Sequence, residues 1–130
     1  MSLIRNTKQV RQSIDFTGVQ NDKIHPTDVD FVLEFDNEIL ILGEVKRQGI
    51  EIPLGQKLVL QRIADKWGDK AIVLKVVHSH NNDDTDIPLK DCFVESYYVN
   101  KKWFRLQNSY SLVDFVNSLG EKWNNNKCKF

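Results

Sequence analysis

Four charged side chains, Asp28, Asp30, Glu44 and Lys46, interrupt two apolar stretches of this chain at a spacing suited to holding a divalent cation. Asp28 and Asp30 open the run Asp28–Phe35, where Val29, Phe31, Leu33 and Phe35 alternate with Asp28, Asp30, Val32 and Glu34, the period of a strand with one face in the core. Glu44 and Lys46 close the run Ile39–Lys46, which is almost continuously apolar, as in a strand covered on both faces. Burying a carboxylate and an ammonium there costs on the order of several kcal/mol unless they are paired or bind an ion. Only Asp36, Asn37 and Glu38 separate the two runs, which implies an antiparallel hairpin. With those residues as the loop, Phe35 faces Ile39, Asp30 faces Glu44 and Asp28 faces Lys46, and all four side chains converge. A shorter loop instead sets Asp30 against Gly43 and turns Glu44 to the other face, so the site depends on a slip of one residue. In the first register the opposed carboxylates, with Cβ atoms roughly 4.5–5.5 Å apart, repel each other unless a cation lies between them.

The residues Pro26-Thr27-Asp28-Val29-Asp30, followed by Glu44-Val45-Lys46, resemble the motif of the PD-(D/E)XK nuclease superfamily, the fold of restriction-endonuclease-like and Holliday-junction-resolvase-like enzymes. In that superfamily an Asp enters an apolar strand and a (D/E)-x-K closes the next one. The tail Asp30-Phe31-Val32-Leu33 matches better than Asp28 does, since Thr27 separates Pro26 from Asp28. The resemblance therefore implies Asp30 as the first metal ligand, with Asp28 beside it. It further implies a Mg2+- or Mn2+-dependent hydrolase of phosphodiester bonds, acting on nucleic acid with DNA favoured, in repair, recombination or a phage- or restriction-related role. Asp30, Glu44 and the carbonyl of Val45 would hold the ion, and Lys46 would place or deprotonate the attacking water. Gln56, at the start of the helix after the Glu-x-Lys strand, resembles the polar residue that similar nucleases aim into the site. Several members also carry a metal-facing acid on the first helix, where this chain has only Asp15, at the expected helix end. A competing class is a non-catalytic nucleic-acid-binding or protein-interaction domain of the same fold, its acids kept as an ion-pair cluster. The retention of Asp, Glu and Lys together argues for the enzyme. RNA as substrate stays open, because nothing here reads a 2′-hydroxyl.

The elements that must position these residues follow from periodicity. Leu3–Ile14 predicts an amphipathic helix whose Arg5, Lys8 and Arg11 could touch phosphates, as could Arg47 after the second strand. A loop follows up to Pro26, and His25 in it could carry a proton. After a loop punctuated by Gly49, Pro53 and Gly55, Gln56–Trp67 reads as a helix with Val59, Leu60, Ile63, Ala64 and Trp67 on its apolar stripe, stopped by Gly68. Ala71–Val77 is a central strand, parallel to its partner through the helical crossover. His78, His80 and the acids up to Asp86 form a polar turn without a third metal ligand at a recognisable spacing. Phe93–Val99 and Lys102–Leu106 form a second hairpin around Asn100-Lys101, with aromatic residues expected to pack on a helix more than to stack on bases. Ser111 caps a last helix, Gly120 closes it, and 121–130 reads as a polar tail.

The fold expected is thus an α/β sandwich, a mixed sheet flanked by helices as in the restriction-endonuclease-like core, within a single domain over 1–120. A chain of 130 residues, 41% of them hydrophobic, supports one core. Eighteen basic and eighteen acidic residues cancel, so any grip on nucleic acid must be local. Cys92 and Cys128 lack a metal spacing, and no apolar run reaches the length of a membrane span or the pattern of a signal peptide, so a cytoplasmic location is expected. Because so small a neutral domain offers little area to a duplex and two strands need two sites, a homodimer is expected.

Overall fold

The structure, a computed structural model, describes residues 14–22, 24–79 and 86–130. Strands β1 (Phe31–Phe35), β2 (Ile39–Arg47), β3 (Ala71–His78), β4 (Phe93–Val99) and β5 (Lys102–Ser111) lie side by side in sequence order in one sheet. Neighbours are antiparallel except β2 and β3, which are parallel and joined through helix α1 (Leu54–Trp67). Helix α2 (Leu112–Lys122) follows β5, with the Ser111 hydroxyl accepting from Asp114 N–H at 3.1 Å as its cap. Side-chain parity decides which helix covers which face. Leu40, Leu42, Ala71 and Val73 pack with Leu60 and Ala64 of α1, whereas Ile39, Ile41, Ile72 and Leu74 pack with Leu112, Phe115, Val116 and Leu119 of α2. The chain is an α/β protein with a mixed sheet between two helices, as expected.

The β1–β2 turn sets the register on which the site depends. Asp36 and Asn37 both take left-handed backbone conformations, φ 59° each, which these two residue types tolerate best among those with side chains. Glu38 N–H donates to the Phe35 carbonyl at 2.9 Å, Phe35 faces Ile39, and the ladder runs up to Phe31 opposite Gly43. Of the two registers open from the sequence, the longer loop is the one formed. At its other end β1 is shorter than expected, starting at Phe31 rather than Asp28. Val29, expected on the face of Phe31, instead packs on the α1 side, while Phe31, Leu33 and Phe35 pack on the α2 side. Outside the ladder no pleat dictates where its side chain points.

Two further differences concern the C-terminal half. Strand β5 continues to Ser111, past the Leu106 expected, by re-pairing with β4 after an irregularity between Val94 and Ser96. The helix expected to close at Gly120 runs through it to Lys122, and the segment expected as a polar tail folds back onto α2. Cys128 and Asn125 are buried, and a Cβ at position 120 would collide with the carbonyl of Cys128, which is why the helix carries glycine there. The returning segment also grips the β1–β2 turn: Asn125 Nδ2 donates to Glu38 Oε1 at 3.0 Å, Lys127 pairs with Asp36 at 2.8 Å, and Phe130 meets Phe35 edge-on.

Tyr97, Tyr98 and Trp103 of the second hairpin pack on protein, as expected, while Phe93 and Phe104 stay exposed. Tyr97 stacks on Phe104 at 5.3 Å and touches Phe115, and Tyr98 tilts against Trp103. Trp103 and Tyr98 also bond to Gln61 and Asp65 of α1, at 2.7 and 2.8 Å. The N-terminal helix expected over Leu3–Ile14 lies outside the described residues save for Ile14, which is exposed. So do residues 80–85 of the histidine-containing turn.

Gly43 is the weak point of the register, because the ring of Phe31 occupies the space a Cβ would take. Gly43→Ala is expected to cost about 2–3 kcal/mol of stability in urea unfolding, from overpacking. Adding Phe31→Leu should return part of that loss, and independent, additive losses would contradict the contact.

Candidate active site

The register places the acids. Leu40, Leu42, Glu44 and Lys46 share the α1 side of β2, with Glu44 only 1% exposed and Lys46 half-buried. Asp30 stands one position before Phe31, and therefore opposite Glu44 if the ladder is extended by one pair. Two hydrogen bonds fasten it there. Asp30 N–H donates to Glu44 Oε1 at 3.3 Å, and Val45 N–H donates to Asp30 Oδ2 at 2.7 Å. Since N–H and C=O of one strand residue point to the same edge, the Val45 carbonyl also lies on the Asp30 side of β2.

The electrostatics follow from burial. Desolvation, and next the charge of Asp30, push the Glu44 carboxyl up to about 7; the hydrogen bond from Asp30 N–H and the charge of Lys46 act the other way and are outweighed. Near neutral pH the Glu44 carboxyl thus still holds its proton to a large extent. The donor set, two adjacent carboxylates and a backbone carbonyl, suits a hard cation such as Mg2+ or Mn2+, which commonly keeps several waters and takes only one or two protein carboxylates. Among the described residues no group of three or more His, Cys, Asp or Glu side chains is arranged to hold a metal, so any ion here would rest on this pair.

The remaining candidates are placed as follows. Asp28 is exposed and precedes the ladder, so the expected facing pair of Asp28 and Lys46 is not formed. Its backbone is engaged instead: Gln56 Nε2, in the first turn of α1, donates to the Asp28 carbonyl at 3.2 Å. Gln56 thereby holds the segment that delivers Asp30. Arg47 ends β2, and alternation sends it to the α2 side, away from Glu44 and Lys46. Arg5, Lys8 and Arg11 lie outside the described residues. His25 is exposed, its ring Nδ1 3.0 Å from the Pro26 carbonyl.

Sequence reasoning missed Lys75. It is the register partner of Glu44 on β3, faces α1 as Glu44 does, and is 3% exposed. Its ammonium is 2.7 Å from Glu95 of β4 and 3.5 Å from Glu51 in the loop between β2 and α1. The signal was present as one lysine inside the apolar run Ala-Ile-Val-Leu-Lys-Val-Val. Compared with family models, curated proteins and solved structures, the chain matches none. Among the described residues no helix is long and apolar enough to cross a membrane.

The raised Glu44 carboxyl makes stability depend on pH. Unfolded, the group loses its proton near 4.5, and folded near 7, so between these values the folded protein binds more proton and stability falls as pH rises. Glu44→Gln should remove that slope. Urea unfolding is expected to show the variant more stable than the parent by about 1–3 kcal/mol at pH 8, with the two converging near pH 4. A parent that gains stability across this window would contradict the raised Glu44 carboxyl.

Proposed function

We propose that this chain is a metal-dependent nuclease of the restriction-endonuclease-like α/β/α fold, hydrolysing phosphodiester bonds in nucleic acid, with DNA the favoured substrate. The observation that carries the reading is the meeting of Asp30, Glu44 and Lys46 at the open end of the β1–β2 hairpin, on one face of a mixed sheet with a helix on each side. Asp30, Glu44 and the Val45 carbonyl would hold Mg2+ or Mn2+, which when bound acidifies water and offsets charge at phosphorus. Val45 N–H fixes the rotamer of Asp30, and burial fixes that of Glu44, so the acids are positioned before substrate arrives. Lys46, on the same face beyond Glu44, hydrogen-bonds the attacking water and orients it toward phosphorus. As the water oxygen bonds to phosphorus, its proton passes to solvent; the P–O bond to the leaving oxygen breaks, and that oxygen is protonated in turn. Gln56 acts through Asp28, holding the segment before β1 against α1.

One observation favours a second reading, a binding domain without catalysis: the acids are already tied across the hairpin by the Asp30 and Val45 amides, as a structural clasp would be. Calorimetric titration with manganese, beside cleavage assays on plasmid, single-stranded and branched DNA and on RNA, separates the two. Lys46→Ala is expected to lower cleavage by about 100-fold or more while manganese affinity persists. Asp30→Asn and Glu44→Gln should weaken manganese binding by about tenfold or more, a neutral amide being a poor ligand for a hard cation. A parent that binds nucleic acid yet cuts none of these substrates favours the binding domain. The enzyme is further proposed to work as a homodimer, each copy cutting one strand. Light scattering at micromolar concentration should give twice the chain mass, and a monomer of undiminished duplex cleavage would contradict it.

A further inference from the structure

We infer that Lys75 is an anion subsite beside the proposed nuclease centre, where a phosphate oxygen of the substrate strand takes the place now held by the carboxylate of Glu51. The inference rests on the nuclease reading for the identity of its ligand. Lys75 and Glu44 are register partners on the parallel strands β2 and β3, both buried, with side chains on the α1 side. Adjacent strands lie about 4.8 Å apart, so a phosphate placed beside Lys46 borders Lys75 on the neighbouring strand. The two contacts of its ammonium differ in kind. Glu95, whose side chain is 19% exposed, holds it at 2.7 Å, the length of a charge-assisted hydrogen bond. Glu51 approaches only to 3.5 Å, from a side chain that is 80% exposed. The ammonium thus lies just beneath a position open to solvent and covered by a surface carboxylate. Glu51 can leave without refolding its loop, because the loop is anchored on either side of it, by Gln48 N–H on the His78 carbonyl at 2.8 Å and by buried Ile52. Charge is also conserved in the exchange. Glu51 and a phosphodiester each carry one negative charge, so Lys75 and Glu95 keep the same balance with either.

The test measures fluorescence anisotropy of a short labelled DNA duplex, and separately a single strand, at fixed salt with chelator present. Glu51→Gln is expected to bind about three- to tenfold tighter than the parent, since a competitor for Lys75 is removed. Glu121→Gln, an exposed acid on the opposite face of the sheet, controls for net charge and should leave affinity unchanged. In a Lys75→Met/Glu95→Gln background, which removes the buried pair together, Glu51→Gln should have no effect. Equal affinity of Glu51→Gln and parent, an equal gain from Glu121→Gln, a gain that persists without Lys75, or no binding by any form overturns the inference. Glu51 and Glu121 are exposed, so their comparison decides the matter even where the buried double variant does not fold. Cleavage by the parent with magnesium judges the nuclease reading on its own, because the binding arm contains no metal.

Discussion

Two successive left-handed residues, Asp36 and Asn37, set Phe35 opposite Ile39, and the placement of Asp30 against Glu44 follows from that pairing. A shift of one residue would turn each β1 side chain to the opposite face, carrying Asp30 away from Glu44 and Phe31 away from the space that Gly43 leaves. The turn is accordingly held from both sides of the sheet. From the α1 end, Trp67 Nε1 donates to the Glu38 carbonyl at 2.9 Å and Lys70 reaches the Glu38 carboxylate. From the α2 end, Asn125 and Lys127 bond to Glu38 and Asp36, and the Phe130 ring packs edge-on against Phe35. Precision at the closed end of the hairpin is delivered, through the ladder, to the acids at its open end.

Across that open end the sheet carries a row of charges, Asp30, Glu44, Lys75 and Glu95, on the face whose core is packed by Leu60 and Ala64 of α1. Charges in such a place persist where hydrogen bonds or counter-ions offset desolvation. Lys75 has both neighbouring acids, Glu95 and Glu51, within ion-pair distance. Glu44 has one backbone N–H, from Asp30, and no cation within ion-pair distance among the described residues, so desolvation and the charge of Asp30 prevail and its carboxyl rises. The fold therefore concentrates its electrostatic deficit at one carboxylate, held rigid by the apolar core behind it. A site built to receive a cation would be arranged this way, and so would one that stores strain in a clasp.

The C-terminal segment shows how polar composition misleads. An asparagine-rich stretch reads as solvated because its side chains are polar, yet Asn125 within it and Asn117 of α2 use both ends of their amides to hold it. Asn117 brackets Phe130, donating to its carbonyl at 3.5 Å and accepting from its N–H at 2.8 Å. Asn125 spans Glu38 and Lys127 N–H. Hydrogen bonds of this kind let a polar segment cover an apolar helix face at little desolvation cost, and Cys128 is carried into the core with it.

Local chemistry alone determined the order of the described strands and helices, the β1–β2 hairpin, the helix between β2 and β3 and the mixed sheet, while it left two registers open for the hairpin, of which the structure forms the one that brings Asp30, Glu44 and Lys46 to one face. Each of these depends on residues close in the chain, where strand and helix periods and turn preferences act directly. The start of β1 at Phe31, the side taken by Val29, the helix running through Gly120 and the return of 123–130 were decided by tertiary contacts. So was the meeting of Lys75 with Glu44, Glu95 and Glu51. The register between two parallel strands joined by a helix is set by how that helix packs, and the sequence carries no local mark of a pairing that exists only once the core has closed.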